Sequence, residues 1–80
     1  MVNKAGDFAP KVKEIVGDEY LVEIANLSGS VKVMKGSKVI FRIFYSVTYG
    51  RGGFVVRLDD PGHASLGKKV AKDLGIGFVD

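Results

Sequence analysis

Apolar and polar residues alternate over residues 38–49 more regularly than anywhere else in the chain. The odd positions of this run are all β-branched or aromatic, namely Val39, Phe41, Ile43, Tyr45, Val47 and Tyr49. Because successive side chains of a strand point to opposite faces of a sheet, one face of this segment is expected to pack against a core. The alternation predicts a long strand over Lys38–Tyr49, with Ile40 and Arg42 on its outer face.

Four shorter runs rich in β-branched residues predict further antiparallel strands, separated by turn residues. They cover Lys11–Val16, Glu19–Ala25, Ser30–Met34 and Phe54–Leu58. Pairing across the turn at Lys35–Ser37 would place Val33 opposite Val39 and Lys32 opposite Ile40. Val33 then joins the core side, whereas Lys32 joins the outer face.

The segment between the last two predicted strands contains Arg51-Gly52-Gly53, a tripeptide that also occurs in disordered RNA-binding tails. A loop at Gly50–Gly53 would bring apolar residues opposite one another on its two flanks. The resulting pairs are Tyr49 with Phe54, Val47 with Val56, and Tyr45 with Leu58. We therefore expect an ordered hairpin loop here, in which the glycines serve the turn.

Helix signals follow the last predicted strand. Asp60 suits an N-cap, and Pro61 suits the first helical position. Gly75 suits the residue after a helix, so the sequence predicts a helix over Pro61–Leu74, with a tail that packs back onto the strands. Five strands followed by one helix predict a mainly β fold, specifically a small SH3-like five-stranded antiparallel barrel with a C-terminal helix. An OB-like barrel is the alternative.

The composition is that of one small folded domain over residues 1–80, with 46% apolar residues. Its predicted parts are a flexible leader over residues 1–9, the barrel over 11–58, the helix over 61–74 and the tail over 75–80. The chain has no cysteine, which excludes disulfides and thiolate metal sites. No apolar run reaches the ~20 residues of a membrane span, so a cytoplasmic location is expected.

Residue types that could support catalysis are few. The single histidine, His63, lies in the first turn of the predicted helix, where a capping or surface role is expected. Asp59 and Asp60 are adjacent and usually would point apart, and Asp60 is already assigned to the cap. We therefore predict no catalytic site, no metal site and no cofactor.

Charge is distributed unevenly along the chain, whose formal net charge is +3. The segment from Ile24 to Leu58 contains no acidic residue and six cations, which are Lys32, Lys35, Lys38, Arg42, Arg51 and Arg57. Several of these share the outer face with apolar residues such as Ile40 and Phe44. Cations can neutralise phosphates while apolar side chains press on sugars or base edges, so the combination is typical of a nucleic-acid surface. An ordinary solvated sheet face would also carry such cations.

Three segments, GDEYLVEI, GSKVIFRI and GRGGFVVRLDDP, lead in this order into the predicted helix. In strand order and turn placement, the stretch from Lys11 to Leu74 resembles the small archaeal seven-kilodalton chromatin proteins. The resemblance implies an SH3-like barrel that binds duplex DNA with little sequence preference. It also implies that a three-stranded sheet lies on the minor groove and that an apolar wedge opens a base step.

The same resemblance implies roles for individual residues. It places Val39, Phe41 and Ile43 in the core, and it assigns DNA-facing positions to Lys38, Ile40, Arg42, Arg51, Val55 and Arg57. The chain has no tryptophan at the family's sheet position. The family's wedge position falls on Lys38, so the wedge role would pass to Ile40 or Met34.

The sequence thus predicts a non-enzymatic nucleic-acid-binding protein, with double-stranded DNA as the first candidate ligand and RNA left open. If it binds DNA, it would be associated with the nucleoid. The predicted contact residues are Lys32, Met34, Lys38, Ile40, Arg42, Arg51, Val55 and Arg57. The alternative is a protein-interaction or assembly module, in which Ile40 and Phe44 hold a partner or the second copy of a homodimer.

Overall fold

Five strands form one mixed sheet in the computed structural model, which describes residues 4–25, 29–47 and 53–80. The strands are β1 (Leu21–Ala25), β2 (Ser30–Lys35), β3 (Lys38–Ser46), β4 (Gly53–Leu58) and β5 (Gly77–Val79). They lie side by side in that order, with β1 to β4 antiparallel and β5 parallel to β4. The edges are therefore β1 and β5.

The prediction of a mainly β protein is confirmed, but the sheet formed by the described residues is not closed into a barrel. Its last strand also differs from the predicted antiparallel arrangement. A parallel neighbour requires a long crossover connection, and a helix between β4 and β5 supplies it. The tail of the chain thereby becomes an edge strand of the sheet.

Two α-helices cover one face of the sheet. Helix α1 spans Ala9–Val16 after a 3₁₀ turn at Ala5–Phe8, and helix α2 spans Ala64–Leu74 after a 3₁₀ turn at Pro61–His63. The central buried cluster joins both helices to β2, β3 and β4 through Val12, Val16, Val31, Val33, Ile40, Phe41, Ile43, Val56, Val70 and Ala71. Within the described residues, no helix covers the opposite face of the sheet.

The segment predicted as the first strand is helix α1, which corrects that prediction. Ala9, Val12 and Val16 are buried at intervals of three and four residues, as on one side of a helix. Pro10 lies in the first turn, and Gly17 follows the last residue with a φ of 78°, a conformation that glycine adopts without steric cost. Valines four residues apart fit a strand as well as a helical turn, and this ambiguity caused the error.

The end of the predicted flexible leader is also folded. Ala5 is 3% exposed and Ala9 is 8% exposed. A Cβ added to Gly6 would lie 3.1 Å from Cγ2 of Ile24, so the chain runs close to β1 here. The small residues of this segment allow close packing, where the sequence had indicated a loose leader.

A β-bulge at Ile40 changes the predicted register of β2 and β3. Val33 pairs with Phe41 and Met34 pairs with Val39, which leaves Ile40 as an extra residue between the two pairs. Ile40 and Phe41 are consecutive, yet both are fully buried. The bulge also puts Val39 opposite Met34 on the outer face. The predictions that Ile40 points outward and that Val33 pairs with Val39 are therefore wrong, because they assumed an uninterrupted alternation.

The register of β3 and β4 differs from the predicted one by four residues. Tyr45 pairs with Phe54 where Leu58 was predicted, and Phe41 pairs with Leu58. Gly53 belongs to β4, whereas the predicted loop residues 50–52 lie outside the described residues. An even shift keeps apolar residues opposite apolar residues, because side chains alternate with a period of two. The pattern therefore could not distinguish the two registers.

Gly67 lies in the middle of α2, where it faces the Phe78 side chain of β5. A Cβ added to Gly67 would lie 2.9 Å from Cε1 of Phe78. Glycine costs a helix interior about 1 kcal/mol relative to alanine. Because Gly67 has no side chain, the Phe78 ring of β5 can pack directly on the helix backbone.

We expect Ile40→Ala to destabilise the protein by about 2–5 kcal/mol, because the side chain fills the core and its removal leaves a cavity. The matched control is Val47→Ala on the same strand region, since Val47 is 77% exposed; its effect should stay within about 0.5 kcal/mol. Urea denaturation measures both. Equal effects of the two substitutions would contradict the bulge.

We expect Gly67→Ala to destabilise the protein by about 1–3 kcal/mol, although alanine favours helices, because the new methyl group overlaps the Phe78 ring. Phe78→Leu should remove most of this penalty when the two changes are combined. Thermal unfolding of the four proteins gives the coupling between the sites. A stabilising Gly67→Ala substitution would show that the ring does not occupy this space.

Candidate nucleic-acid interface

The face of the sheet without helices, here called the open face, carries the side chains that alternate with the core residues of β2, β3 and β4. Its members include Lys32, Met34, Val39, Arg42, Phe44, Val55 and Arg57. Strand pairing orders the cations among them. Lys32 lies opposite Arg42, and Arg42 lies opposite Arg57, so three neighbouring strands contribute one cation each. We call these three residues the cation row.

The cation row crosses the sheet at the spacing of adjacent strands, about 4.8 Å. Glu23 of β1 lies opposite Lys32 at one end of the row, and Val79 of β5 lies opposite Arg57 at the other. Beside the row is a depression of about 380 Å³, lined by Ser30, Arg42, Phe44, Tyr45 and Arg57. The depression thus combines two guanidinium groups with two aromatic rings and two hydroxyl groups.

Arg42 is bound by the carboxylate of Asp59, which lies one residue beyond the segment without acidic residues. Its Nε donates a hydrogen bond of 3.0 Å to Oδ2 of Asp59, and its Nη2 donates one of 2.7 Å to Oδ1. This bidentate pair raises the pKa of Arg42 above its ordinary value, against the opposing effect of partial desolvation. The alternation of the strand could have predicted this contact, because Asp59 follows Arg57 by two residues and therefore projects to the same side of the sheet.

Asp60 caps the C-terminal helical segment, as predicted, and also holds Lys38. Its Oδ1 accepts a hydrogen bond of 3.3 Å from the Gly62 amide. Nδ1 of His63 lies 2.5 Å from Oδ2, and Nζ of Lys38 lies 3.3 Å from Oδ1. The hydrogen bond from His63, followed by those from Gly62 and Lys38, keeps the pKa of Asp60 below its ordinary value, although partial burial opposes this.

Ion pairs reduce the number of cations that are available to a ligand. Lys35 pairs with Glu19 at 3.6 Å, in addition to the pairs made by Lys38 and Arg42. Lys32 and Arg57 form no ion pair with any residue that the structure describes. Arg51, which was also predicted to contact nucleic acid, lies outside the described residues. Lys32 and Arg57 are therefore the cations best placed to attract an anion.

The apolar part of the predicted site requires two corrections. Ile40 is fully buried, and Val55 is 4% exposed although it belongs to the open face. Val55 pairs with Phe44 on one side and Gly77 on the other, and a Cβ on Gly77 would lie 3.1 Å from its Cγ1, so the side chain lies close to the backbone of β5. Neither residue can enter a groove of DNA. Met34, Val39 and Phe44, all half-buried, are the apolar side chains of β2 and β3 that remain accessible on this face.

The single histidine is occupied by structural contacts. Besides its contact with Asp60, the His63 ring packs edge-on against Tyr20, with 5.8 Å between centroids. Among the described residues, no group of three or more histidine, aspartate or glutamate side chains is arranged to hold a metal ion. The helices of the described segments are too short or too polar to cross a membrane.

Comparison of the chain with protein-family models, with curated proteins and with solved structures gave no match. The resemblance to the archaeal chromatin proteins therefore stays a prediction from the sequence. What can be said of function rests on the arrangement of side chains on the open face.

We expect Asp60→Asn to lower the free energy of unfolding at neutral pH. In acid, the variant and the wild type should be equally stable. A folded-state pKa below the unfolded value means that ionised Asp60 stabilises the fold above its unfolded pKa. The contribution disappears as the pH falls through the lowered folded-state pKa. Thermal unfolding of both proteins between neutral pH and about pH 2 should therefore converge. In a His63→Ala background the pH-dependent difference should be smaller, and a difference independent of pH would contradict the assignment.

Proposed function

We propose that the chain binds nucleic acid, without catalysis, through the open face. The observation that supports this function best is the cation row, in which Lys32, Arg42 and Arg57 lie side by side on three strands. Phosphates attract such cations, and the release of counterions from the nucleic acid drives binding. Phe44 beside the row offers an apolar contact to a sugar or a base.

Double-stranded DNA is the ligand to test first. The resemblance of strand order and turn placement to small archaeal chromatin proteins supports this choice, and such binding would associate the chain with the nucleoid. Burial of Ile40 leaves the half-buried Met34 as the remaining candidate for the apolar wedge that the resemblance implied, and burial of Val55 reduces the apolar contact further. The proposed contact is therefore chiefly with phosphates, which position a protein on the duplex without reading its sequence. Low sequence preference follows.

The alternative of a protein-interaction or assembly module loses one of its two anchors. Ile40 is fully buried, so only the half-buried Phe44 remains of the apolar pair on which a partner or a second copy would rest. The open face also carries the charged row at its centre. The central part of a protein interface is usually depleted of charged residues.

We expect Arg57→Ala and Lys32→Ala each to weaken binding to duplexes of unrelated sequence by a similar factor. Each should also reduce the slope of log affinity against log salt by about 0.9, the value for one phosphate contact on duplex DNA. Fluorescence anisotropy at several salt concentrations measures both quantities. Lys69→Ala is the matched control, because Lys69 is exposed on α2, away from the open face.

The results separate the proposed function from its alternatives. Unchanged binding by Arg57→Ala and Lys32→Ala, or an equal loss with Lys69→Ala, would show that the open face is not the binding surface. Absence of duplex binding at low salt would contradict the choice of duplex DNA. Self-association that salt does not weaken would instead favour the assembly module.

A further inference from the structure

The ion pair between Arg42 and Asp59 lies at the centre of the open face. Asp59 occupies Nε and Nη2 of the guanidinium group, at 3.0 and 2.7 Å. These donors form one edge of the planar fork with which arginine binds carboxylates and phosphates in a bidentate manner. A phosphate cannot use this edge while the carboxylate holds it.

We propose that Asp59 determines the affinity of the open face for nucleic acid by competing with phosphate for the Arg42 guanidinium group. This inference rests on the proposed function, and it concerns the strength of binding at the same surface. In the free protein Arg42 is already neutralised, so Lys32 and Arg57 make the first contacts. A phosphate reaches the Arg42 edge only by displacing the carboxylate.

The backbone keeps Asp59 near Arg42 even if the ion pair opens. Its amide donates a hydrogen bond of 2.9 Å to the carbonyl oxygen of Ile40, within the bulge of β3. A displaced carboxylate would therefore stay close to the bound phosphate and repel it. Asp59 opposes binding in two ways, by occupying the donors and by leaving a negative charge beside the ligand.

The carboxylate of Asp59 makes fewer structural contacts than the carboxylate of the neighbouring Asp60. The Asp60 carboxylate holds the Gly62 amide and the His63 ring as well as Lys38. Within the described part of the chain, the Asp59 side chain is bonded to Arg42 alone. Replacing it by asparagine removes the charge and weakens this one pair, while the helix cap is left intact.

The test compares Asp59→Asn with Asp73→Asn, which makes the same change of charge at an exposed position of α2. We expect Asp59→Asn to bind duplex DNA at low salt about threefold more tightly, or better, the order expected for a partly exposed charge contact. Its salt slope should increase by about 0.9, because Arg42 gains a phosphate. Asp73→Asn should change affinity less than twofold, with no change of slope.

Arg42→Ala identifies the group through which Asp59 acts. In the wild-type background this substitution should weaken binding, because it removes the cation and leaves the Asp59 carboxylate unpaired beside the ligand. In the Asp59→Asn background it should abolish the gain. Circular dichroism and thermal unfolding establish that each variant is folded, and Asp59→Ser provides a second way to remove the carboxylate should asparagine disturb the turn.

The outcomes distinguish this inference from the proposed function. If Arg57→Ala weakens binding but Asp59→Asn and Asp59→Ser behave like Asp73→Asn, the competition is refuted and the proposed function stands. If the gain persists after Arg42→Ala, it is a general effect of charge and the competition is again refuted. If no variant binds duplex DNA at low salt, both are refuted.

Discussion

The carbonyl oxygen of Ile40 accepts hydrogen bonds from two consecutive amides, those of Asp59 at 2.9 Å and Asp60 at 3.0 Å. The bond from Asp59 continues the register of β3 with β4, in which Phe41 pairs with Leu58, and the bond from Asp60 is an additional one at the end of β4. The two bonds place Asp59 beside Arg42, and Asp60 where it can cap the following helical turn and hold Lys38. The bulge also directs the side chain of Ile40 into the core. Ile40 thus connects the core, through its side chain, with the helix start and the charges of the open face, through its carbonyl oxygen.

The placement of the helices explains why the open face is available. Both α-helices pack on the side of the sheet that carries Val33, Phe41 and Val56, and their buried residues join one cluster. The other side is left to the residues that alternate with these, which include the cation row. Strand β5 adds an edge without adding a side chain next to Val55, because Gly77 occupies the paired position. The open face therefore has no β5 side chain beside Val55, and it is charged across its middle.

How far the sequence predicted this arrangement depends on what each signal can resolve. The alternation in β3 correctly indicated a strand with Phe41 and Ile43 in the core, and the signals at Asp60 and Gly75 correctly marked the ends of the helical segment. A pattern of period two could not reveal an inserted residue at Ile40, nor could it separate two registers that differ by four residues. Composition misassigned the segment before Gly17, where the spacing of buried residues is helical.

The candidate site was predicted in part for the same reasons. Arg42 and Arg57 share the open face, as alternation predicted, because both lie beyond the bulge in regularly paired segments. The carboxylate that binds Arg42 was not predicted, because Asp59 lies one residue beyond the segment without acidic residues that ends at Leu58. Charges that are adjacent in the sheet need not be adjacent in the sequence. Nor did any local pattern in the sequence predict the parallel pairing of β5 with β4, which puts Gly77 beside Val55.

Because Asp59 belongs to the same chain as Arg42, its carboxylate is present beside the guanidinium group at a high local concentration, which dilution of the protein does not change. A small anion in solution, such as inorganic phosphate, would have to reach a comparable concentration to displace it. When Lys32 and Arg57 hold a polyanion, its next phosphate is tethered near Arg42, and this phosphate therefore also has a high local concentration. The ion pair would therefore act as a filter that admits polymers of phosphate and excludes single anions.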